Sequence, residues 1–336
     1  MTFQSFLKTL CLASLLYWTA CQNSKQDAII TVNQRGEMTV FGQPAPDFEM
    51  LNVMLVDSLA NMATMPEKID INFEGEVGMG TRQEVETIAA EAIEAAKLAK
   101  LAPTVEELRF RKEQGTDCDK DEESRTDCAR IDIEYYVVTK GEKALQDAVA
   151  NWTNSYLFGI LENAEADIKS SSLDEAAQAF FKIHDDFKKE AGGVSVMAGA
   201  FEAMTGSEVV LNNGKYLTLA INGNTYMGGA HGSPTEALNT FDAQTGKMLV
   251  WDDLVTDKAA VQALAEKKVR EEKADVFKEG FNFDKNFQFV LPVNYGLTVE
   301  GIFLYYIPYE IMPYAMGATE VTLTFEELGA LSKIQL

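Results

Sequence analysis

Residues 216–255 read YLTLAINGNTYMGGAHGSPTEALNTFDAQTGKMLVWDDLV. Tyr216 to Met227 is predicted to be a strand running through an Asn-Gly turn at Asn222-Gly223. The run Gly228-Gly229-Ala230-His231-Gly232 follows it, and a second strand returns to Asn239-Thr240-Phe241-Asp242. Ala243 to Gly246 then turns the chain into KMLVWDDLV. Two strands joined by a short glycine-rich turn pair antiparallel. No Lys-Ser/Thr follows the glycines, so the run is not a phosphate-binding loop. Glycines at a strand end mark a tight turn or a close backbone approach.

Toward the C-terminus, FVLPVNYGLTVEGIFLYYIPYEIMPYAMGATEVTLTFEEL (289–328) supplies further strand-like runs rich in tyrosine. Toward the N-terminus, Ile131 to Val138 is strand-like. Gly141 opens a helix with Leu145, Val149, Trp152, Tyr156 and Ile160 on one stripe. Leu173 to Lys189 forms another helix, in which His184 lies four residues after Phe180 and is expected to pack in the core rather than act chemically. Gly193-Val194-Ser195-Val196-Met197 starts like a nucleophile elbow but lacks the closing glycine.

Residues 28–101 form a separate pattern. Ala28 to Val32 and Met38 to Phe41 read as a hairpin turning at Gly36. Asp47 caps a helix with Phe48, Leu51, Leu55, Leu59 and Met62 on one face, and Pro66 ends it. Lys68 to Phe73 alternates as a strand. Thr81-Arg82-Gln83-Glu84 has capping-box spacing before a helix carrying Val85, Ile88, Ala92, Ala96 and Ala99 inward. From Pro103 the stretch 102–129 reads as an acidic linker.

At the N-terminus, Lys8 precedes the apolar run Leu10 to Trp18 (LCLASLLYW). That run is too short for a bilayer helix, which needs about 20 residues, and reads as a signal-peptide core over residues 1–20. Thr19-Ala20-Cys21 resembles a lipobox, which makes Cys21 the expected lipidation site and residues 21–27 a tether. Trp18 departs from the small aliphatic residue usual at that place. The expected location is the cell envelope, with the chain lipid-anchored to the inner or outer membrane and facing the periplasm or cell surface. Cys118 and Cys128 are then the pair left in an oxidising compartment and are expected to form a disulfide. The loop between them carries Asp117, Asp119 and Asp121 at calcium-loop spacing. Glu122 stands where such a loop needs glycine, and Cys128 where it needs glutamate, so a solvated acidic loop is expected.

Across 336 residues, 29 Lys+Arg against 52 Asp+Glu give a net charge of -23 and a pI near 4.5. Such a chain repels nucleic acid and attracts basic partners. With only two histidines, His184 and His231, a paired-histidine metal site would need those two to meet; no metal and no cofactor are expected.

The phrases YMGGAHG, NTFDAQTGK, LTVEGIFLYYIPYEIMPYAMG and EVTLTFEEL, in that order, resemble the C-terminal domain of the RsiV/PdaC family. RIDIEYYVVTKGEKALQDAVANW, from Arg130, resembles its companion domain just upstream. The resemblance covers residues 130–336, with an upstream half at 130–190 and a C-terminal half at 191–336. ITVNQRGEMTVFGQ, EKIDINFEGEVGMGT and EVETIAAEAIEAAKLA resemble the periplasmic domain of ExbD/TolR-type proteins. The fold class these imply is α+β: an N-terminal β-β-α-β-α module, then an RsiV/PdaC-like α+β domain with mainly antiparallel sheet. In some RsiV/PdaC members that domain is a receptor surface for a wall-attacking protein, and in others an accessory of wall modification. The resemblance implies no catalysis, because the deacetylase chemistry of the enzyme members belongs to a separate metal-dependent domain.

One constellation is site-like: His231 on the glycine turn, Asp242 on the returning strand, and Tyr305, Tyr306, Tyr309 and Tyr314. Aromatics and a titratable group suit recognition of carbohydrate or protein. The competing reading has His231 tying its turn, with Asp242 as partner, and alternate tyrosines in the core. The expected function is a non-catalytic binding or sensing module for cell-wall glycan or a basic wall-attacking protein such as lysozyme. Two alternatives are a structural partner in an envelope complex and a wall-acting hydrolase using His231 and Asp242.

Overall fold

The computed structural model describes residues 29–121, 125–163, 167–190, 200–229, 232–284 and 286–334. The chain divides into two compact units between Ala96 and Lys97.

In the first unit, β1 (Ile30–Val32) and β2 (Met38–Val40) pair antiparallel. The Asn33 side chain closes their turn by accepting the amides of Arg35 and Glu37. An additional strand, β3 (Gln43–Ala45), extends the sheet beyond the expected β-β-α-β-α order. The helix α1 (Phe48–Ala60) starts at Asp47, whose carboxylate accepts the Met50 amide at 2.7 Å. Leu51, Leu55 and Leu59 bury fully on its inner face. β4 (Ile71–Phe73) lies parallel to β1, giving the order β3-β2-β1-β4. α2 (Met79–Lys100) begins two residues before Thr81, so the expected capping box lies inside the helix. Val85, Ala89, Ala92 and Ala96 bury from α2 into the same core as the α1 leucines.

The second unit is built on a five-stranded sheet of order β5-β6-β7-β8-β9: β5 (Thr104–Gly115), β6 (Cys128–Lys140), β7 (Ala200–Asn212), β8 (Tyr216–Tyr226) and β9 (Ser233–Asp242). Only the β6–β7 pair is parallel. β5 corrects the expected linker at 102–129. It is an edge strand whose side chains are mostly exposed, with Val105 and Phe110 only partly buried, so it carries little apolar alternation. Cys118 and Cys128 form the disulfide. Asp117, buried at 3% exposure, accepts the amides of Thr126 and Asp127 and the Thr126 hydroxyl. These bonds hold its carboxylate well below the usual range, at about 2. The aspartate that suggested a cation loop thus ties the loop itself.

Asn222-Gly223 is not a turn; β8 runs straight through it. A Cβ on Gly223 would stand 2.0 Å from the Met204 carbonyl oxygen, so glycine here permits the approach of β7. Helices α3 (Lys143–Glu162) and α4 (Leu173–Glu190) cover one face of the sheet. His184 is fully buried on α4, its ring 5.0 Å from that of Phe201.

After β9 come α5 (Trp251–Leu254), α6 (Lys258–Glu272) and α7 (Ala274–Lys278). A three-stranded antiparallel sheet then follows: β10 (Asn294–Leu297), β11 (Gly301–Tyr306) and β12 (Thr319–Thr324), which runs into α8 (Phe325–Leu328). Ile302, Leu304, Tyr306, Val321 and Leu323 form a core with Val261, Ala265 and Val269 of α6. The molecule is α+β with mostly antiparallel strands. Among the described residues no helix is long and apolar enough to cross a membrane.

Candidate functional site

Partners in register across strands project to the same side of a sheet. Glu107 faces Tyr136, Arg109 faces Glu134, and Arg111 faces Asp132. Asp132 faces Met204, Gly206 faces Asn222 and Glu208 faces Ala220. Asn222 faces Glu236, and Ala220 faces Leu238. These residues share one face of the five-stranded sheet. Ile131, Ile133, Phe201, Ala203, Ile221 and Phe241 form the opposite face, which packs on the helices. A sheet with one packed and one open face is the ordinary antiparallel arrangement. Here the open face is dominated by carboxylates.

The small sheet laps over one end of it. A Cβ on Gly296 of β10 would lie 2.7 Å from the Thr218 methyl and 3.0 Å from Leu238 Cγ. The Leu297 amide donates to the Thr240 hydroxyl at 2.9 Å, and that hydroxyl is 2.9 Å from the Thr218 hydroxyl. Tyr305 lies between Asn294 and Glu320 in the β10-β11-β12 register. Its neighbour Tyr306 points the other way and is fully buried.

Glu236, Tyr305 and Glu320 therefore come together at the seam of the two sheets. Burial raises the Glu236 carboxyl to about 8, and the charges of Glu320 and Glu208 add to the rise. Burial also raises the Tyr305 hydroxyl, helped by Glu236 and Glu320. Further along the face, burial together with Glu107, Glu208 and Glu134 raises the Tyr136 hydroxyl. The arginines that β5 and β6 place on this face are engaged. Arg109 holds Asp132 at 2.6 Å and Glu134 at 3.3 Å, while Arg111 and Arg130 both hold Glu113. Glu107, Glu208, Glu236 and Glu320 make no salt bridge or hydrogen bond among the described residues, and Glu107 meets Arg109 only at longer range. With strands about 4.8 Å apart, the step from Glu107 on β5 to Glu236 on β9 spans roughly 19 Å.

Cys21 and His231 lie outside the described residues. Asp242 spends one carboxylate oxygen on its own turn, accepting the amides of Gln244 and Thr245 and the Thr245 hydroxyl. It pairs with Tyr216, whereas Ser233, at the glycine end of the same strand, pairs with Thr225. Nine residue steps at about 3.4 Å separate Asp242 from Ser233 by roughly 30 Å. Tyr309 and Tyr314 come together on the turn after β11, with ring centres 5.6 Å apart. Tyr309 is 64% exposed and Tyr314 38%. Glu310 fixes this turn by accepting the amides of Val293 and Ile307. Tyr305 belongs instead to the carboxylate face.

Glu107, Tyr136, Glu208, Glu236 and Glu320 were not marked by the sequence reading. Their alternation with apolar neighbours, as in RIDIEYYVV and EVTLTF, signalled an open strand face; only the register aligns those faces into one surface. Apart from this face, a shallow cavity of about 660 Å³ lies against α3, lined by Ser155, Tyr156, Gly159, Ile160, Asn163, Ile168 and Thr225, none of them charged. Among the described residues no group of three or more His, Cys, Asp or Glu could hold a metal ion.

Comparison with known proteins agrees with this architecture. Residues 122–234 match the family model described as deacetylase PdaC. Residues 252–326 match the model described as protein of unknown function DUF3298. No curated protein matches the chain. A crystal structure of a DUF3298 family member from Bacteroides fragilis NCTC 9343 aligns with a TM-score of 0.53 at 20% identity, covering 69% of this chain and 95% of that one. A DUF3298 family protein from Pseudomonas aeruginosa PAO1 aligns with a TM-score of 0.50 at 19% identity, covering 69% and 96%. At that identity the likeness speaks for the fold. The chain thus has an α+β fold in which a stretch matching the PdaC model is followed by one matching the DUF3298 model.

Proposed function

We propose that the chain is a non-catalytic receptor module of the cell envelope, tethered through lipid at Cys21, that takes a cationic wall-attacking protein onto the open face of its five-stranded sheet. The observation that carries this reading is the imbalance on that face. Arg109, Arg111 and Arg130 are each engaged by neighbouring carboxylates, while Glu107, Glu208 and Glu320 make no salt bridge among the described residues and Glu236 adds its charge only above about pH 8. A surface of one sign steers and retains a partner of the other. Tyr136 and Tyr305 among the carboxylates add aromatic area of the kind enriched at protein interfaces. The net charge of -23 points the same way. The resemblance to a family with receptor members supports it as well.

The test is binding of the chain from Gln22 onward to a basic lysozyme at low and moderate salt. Saturable binding that weakens with salt and falls on Glu107→Gln/Glu208→Gln/Glu320→Gln supports the proposal. Binding indifferent to that triple substitution overturns it.

A second reading rests on a different observation. Tyr309 and Tyr314 are exposed side by side on a turn that Glu310 fixes. Such a pair is suited to stacking on a sugar ring. Binding of purified peptidoglycan that is lost on Tyr309→Ala/Tyr314→Ala, with lysozyme binding unchanged, would favour wall glycan as the ligand.

A further inference from the structure

β5 is the outer strand of the five-stranded sheet, and among the described residues no strand pairs with its free edge. From Val105 to Gly115 it runs beside β6 without a bulge, the one register shift falling between Thr104 and Val105. It contains no proline. A long, straight edge offers a row of backbone donors and acceptors to another strand, and proteins ordinarily blunt it with bulges, proline or charge. β5 has the charges, but they are sorted. Glu106 and Glu107 precede Arg109; Arg111 and Lys112 follow it.

We propose that β5 pairs antiparallel with β5 of a second copy of this chain, about a two-fold axis at Arg109. In that register Glu107 meets Arg111 of the other copy, Glu106 meets Lys112, and Leu108 meets Phe110, each contact occurring twice. Opposite charges and apolar residues facing each other across strands are the favourable pairings. The two Arg109 side chains also face each other. Each is already neutralised by Asp132 and Glu134 of its own chain. Leu108 is 40% exposed in the single chain and becomes covered. Sliding the strands by two residues one way sets Arg109 against Arg111 and Glu107 against Glu113. The slide the other way sets Glu107 against Arg109, which its own chain already neutralises, loses the Glu106–Lys112 pair and leaves Leu108 facing Leu108. The charge order therefore selects one register.

The bonds that must yield are surface pairs, Arg111 with Glu113 and Lys112 with Asp174, and exposed pairs of this kind hold weakly. A two-fold axis perpendicular to the sheet would join ten strands and set both carboxylate faces on the same side. The contact is isologous, as in most homodimers. It does not depend on what the carboxylate face binds.

The test is sedimentation velocity of the chain from Gln22 onward across a wide concentration range. The expected result is a mass rising from one chain to two. Arg111→Glu/Lys112→Glu, which sets like charges against each other, is expected to hold the single-chain mass. Adding Glu106→Lys/Glu107→Arg to the same chain is expected to restore the double mass. Far-ultraviolet circular dichroism establishes that each variant is folded. In a second measurement, Arg109→Cys is expected to give a disulfide-linked dimer on mild oxidation, because position 109 lies on the axis, and Gln114→Cys is not. A single-chain mass at every concentration, or a dimer indifferent to both charge variants and to the position of the introduced cysteine, overturns the proposal.

Discussion

Replacing Glu236 with glutamine tests whether a carboxyl is held under strain at the seam of the two sheets. In the folded chain burial and the charges of Glu320 and Glu208 raise its pKa from 4.5 to about 8. In the unfolded chain it titrates as an ordinary glutamate. Between those values the native state keeps a proton that the unfolded state has released, so stability falls as pH rises through the window. Each tenfold change in proton affinity is worth about 1.4 kcal/mol, which puts the full cost above pH 8 at about 5 kcal/mol. Water reaching the half-buried carboxylate screens much of this and leaves about 2 kcal/mol. Glutamine has nearly the same shape and no proton to lose. The second unit, Lys97–Leu336, has about 240 residues, a size at which 1 kcal/mol moves Tm by about 2–4 °C. Thermal unfolding at pH 5 and pH 9 is the assay. Wild type and Glu236→Gln are expected to melt together at pH 5, and the variant about 4–8 °C higher at pH 9. Other titrating groups are common to both proteins and cancel. An equal difference between the two proteins at both pH values would refute the reasoning.

Three other outcomes follow from the packing. The Cys118–Cys128 bridge closes a loop with sequence separation 10, so Cys118→Ser/Cys128→Ser is expected to cost about 3 kcal/mol in denaturant unfolding. Gly223→Ala sets a methyl 2.0 Å from the Met204 carbonyl oxygen; chemical denaturation is expected to show a loss of about 2–4 kcal/mol as β7 and β8 are forced apart. Asp242→Ala removes the acceptor of three hydrogen bonds in its turn and is expected to cost about 1–2 kcal/mol of stability while leaving ligand binding unchanged. Loss of binding without loss of stability in that variant would return Asp242 to the site.

The parts of the fold legible in the sequence are those whose periodicity is set by a buried face. Leu51, Leu55 and Leu59 announce α1, and the apolar stripe of α3 and the phenylalanines of α4 announce the layer over the sheet. β5 was not legible. No described strand pairs with its outer edge and both of its faces are largely wet, so TVEELRFRKEQG carries composition but almost no period. Asn222-Gly223 misled for a related reason: the dipeptide favours a turn locally, yet pairing on both sides holds β8 straight, and the missing Cβ serves the neighbouring strand. The site was legible only in part. Tyr305 could be singled out because it sits in an aromatic run. Its carboxylate companions come from β7, β9 and β12, remote in sequence and aligned only by register. Asp242 reads from the sequence as a site residue, yet its carboxylate is spent on the turn that follows β9.

The most direct test of the receptor assignment is titration of a basic lysozyme against wild type and Glu107→Gln/Glu208→Gln/Glu320→Gln at two ionic strengths. Exposed charge pairs contribute about 0.5 kcal/mol each, so removing three carboxylates is expected to weaken binding roughly tenfold at low salt and to flatten its salt dependence. Equal affinity and equal salt dependence in the two proteins, or no binding by either, would contradict it.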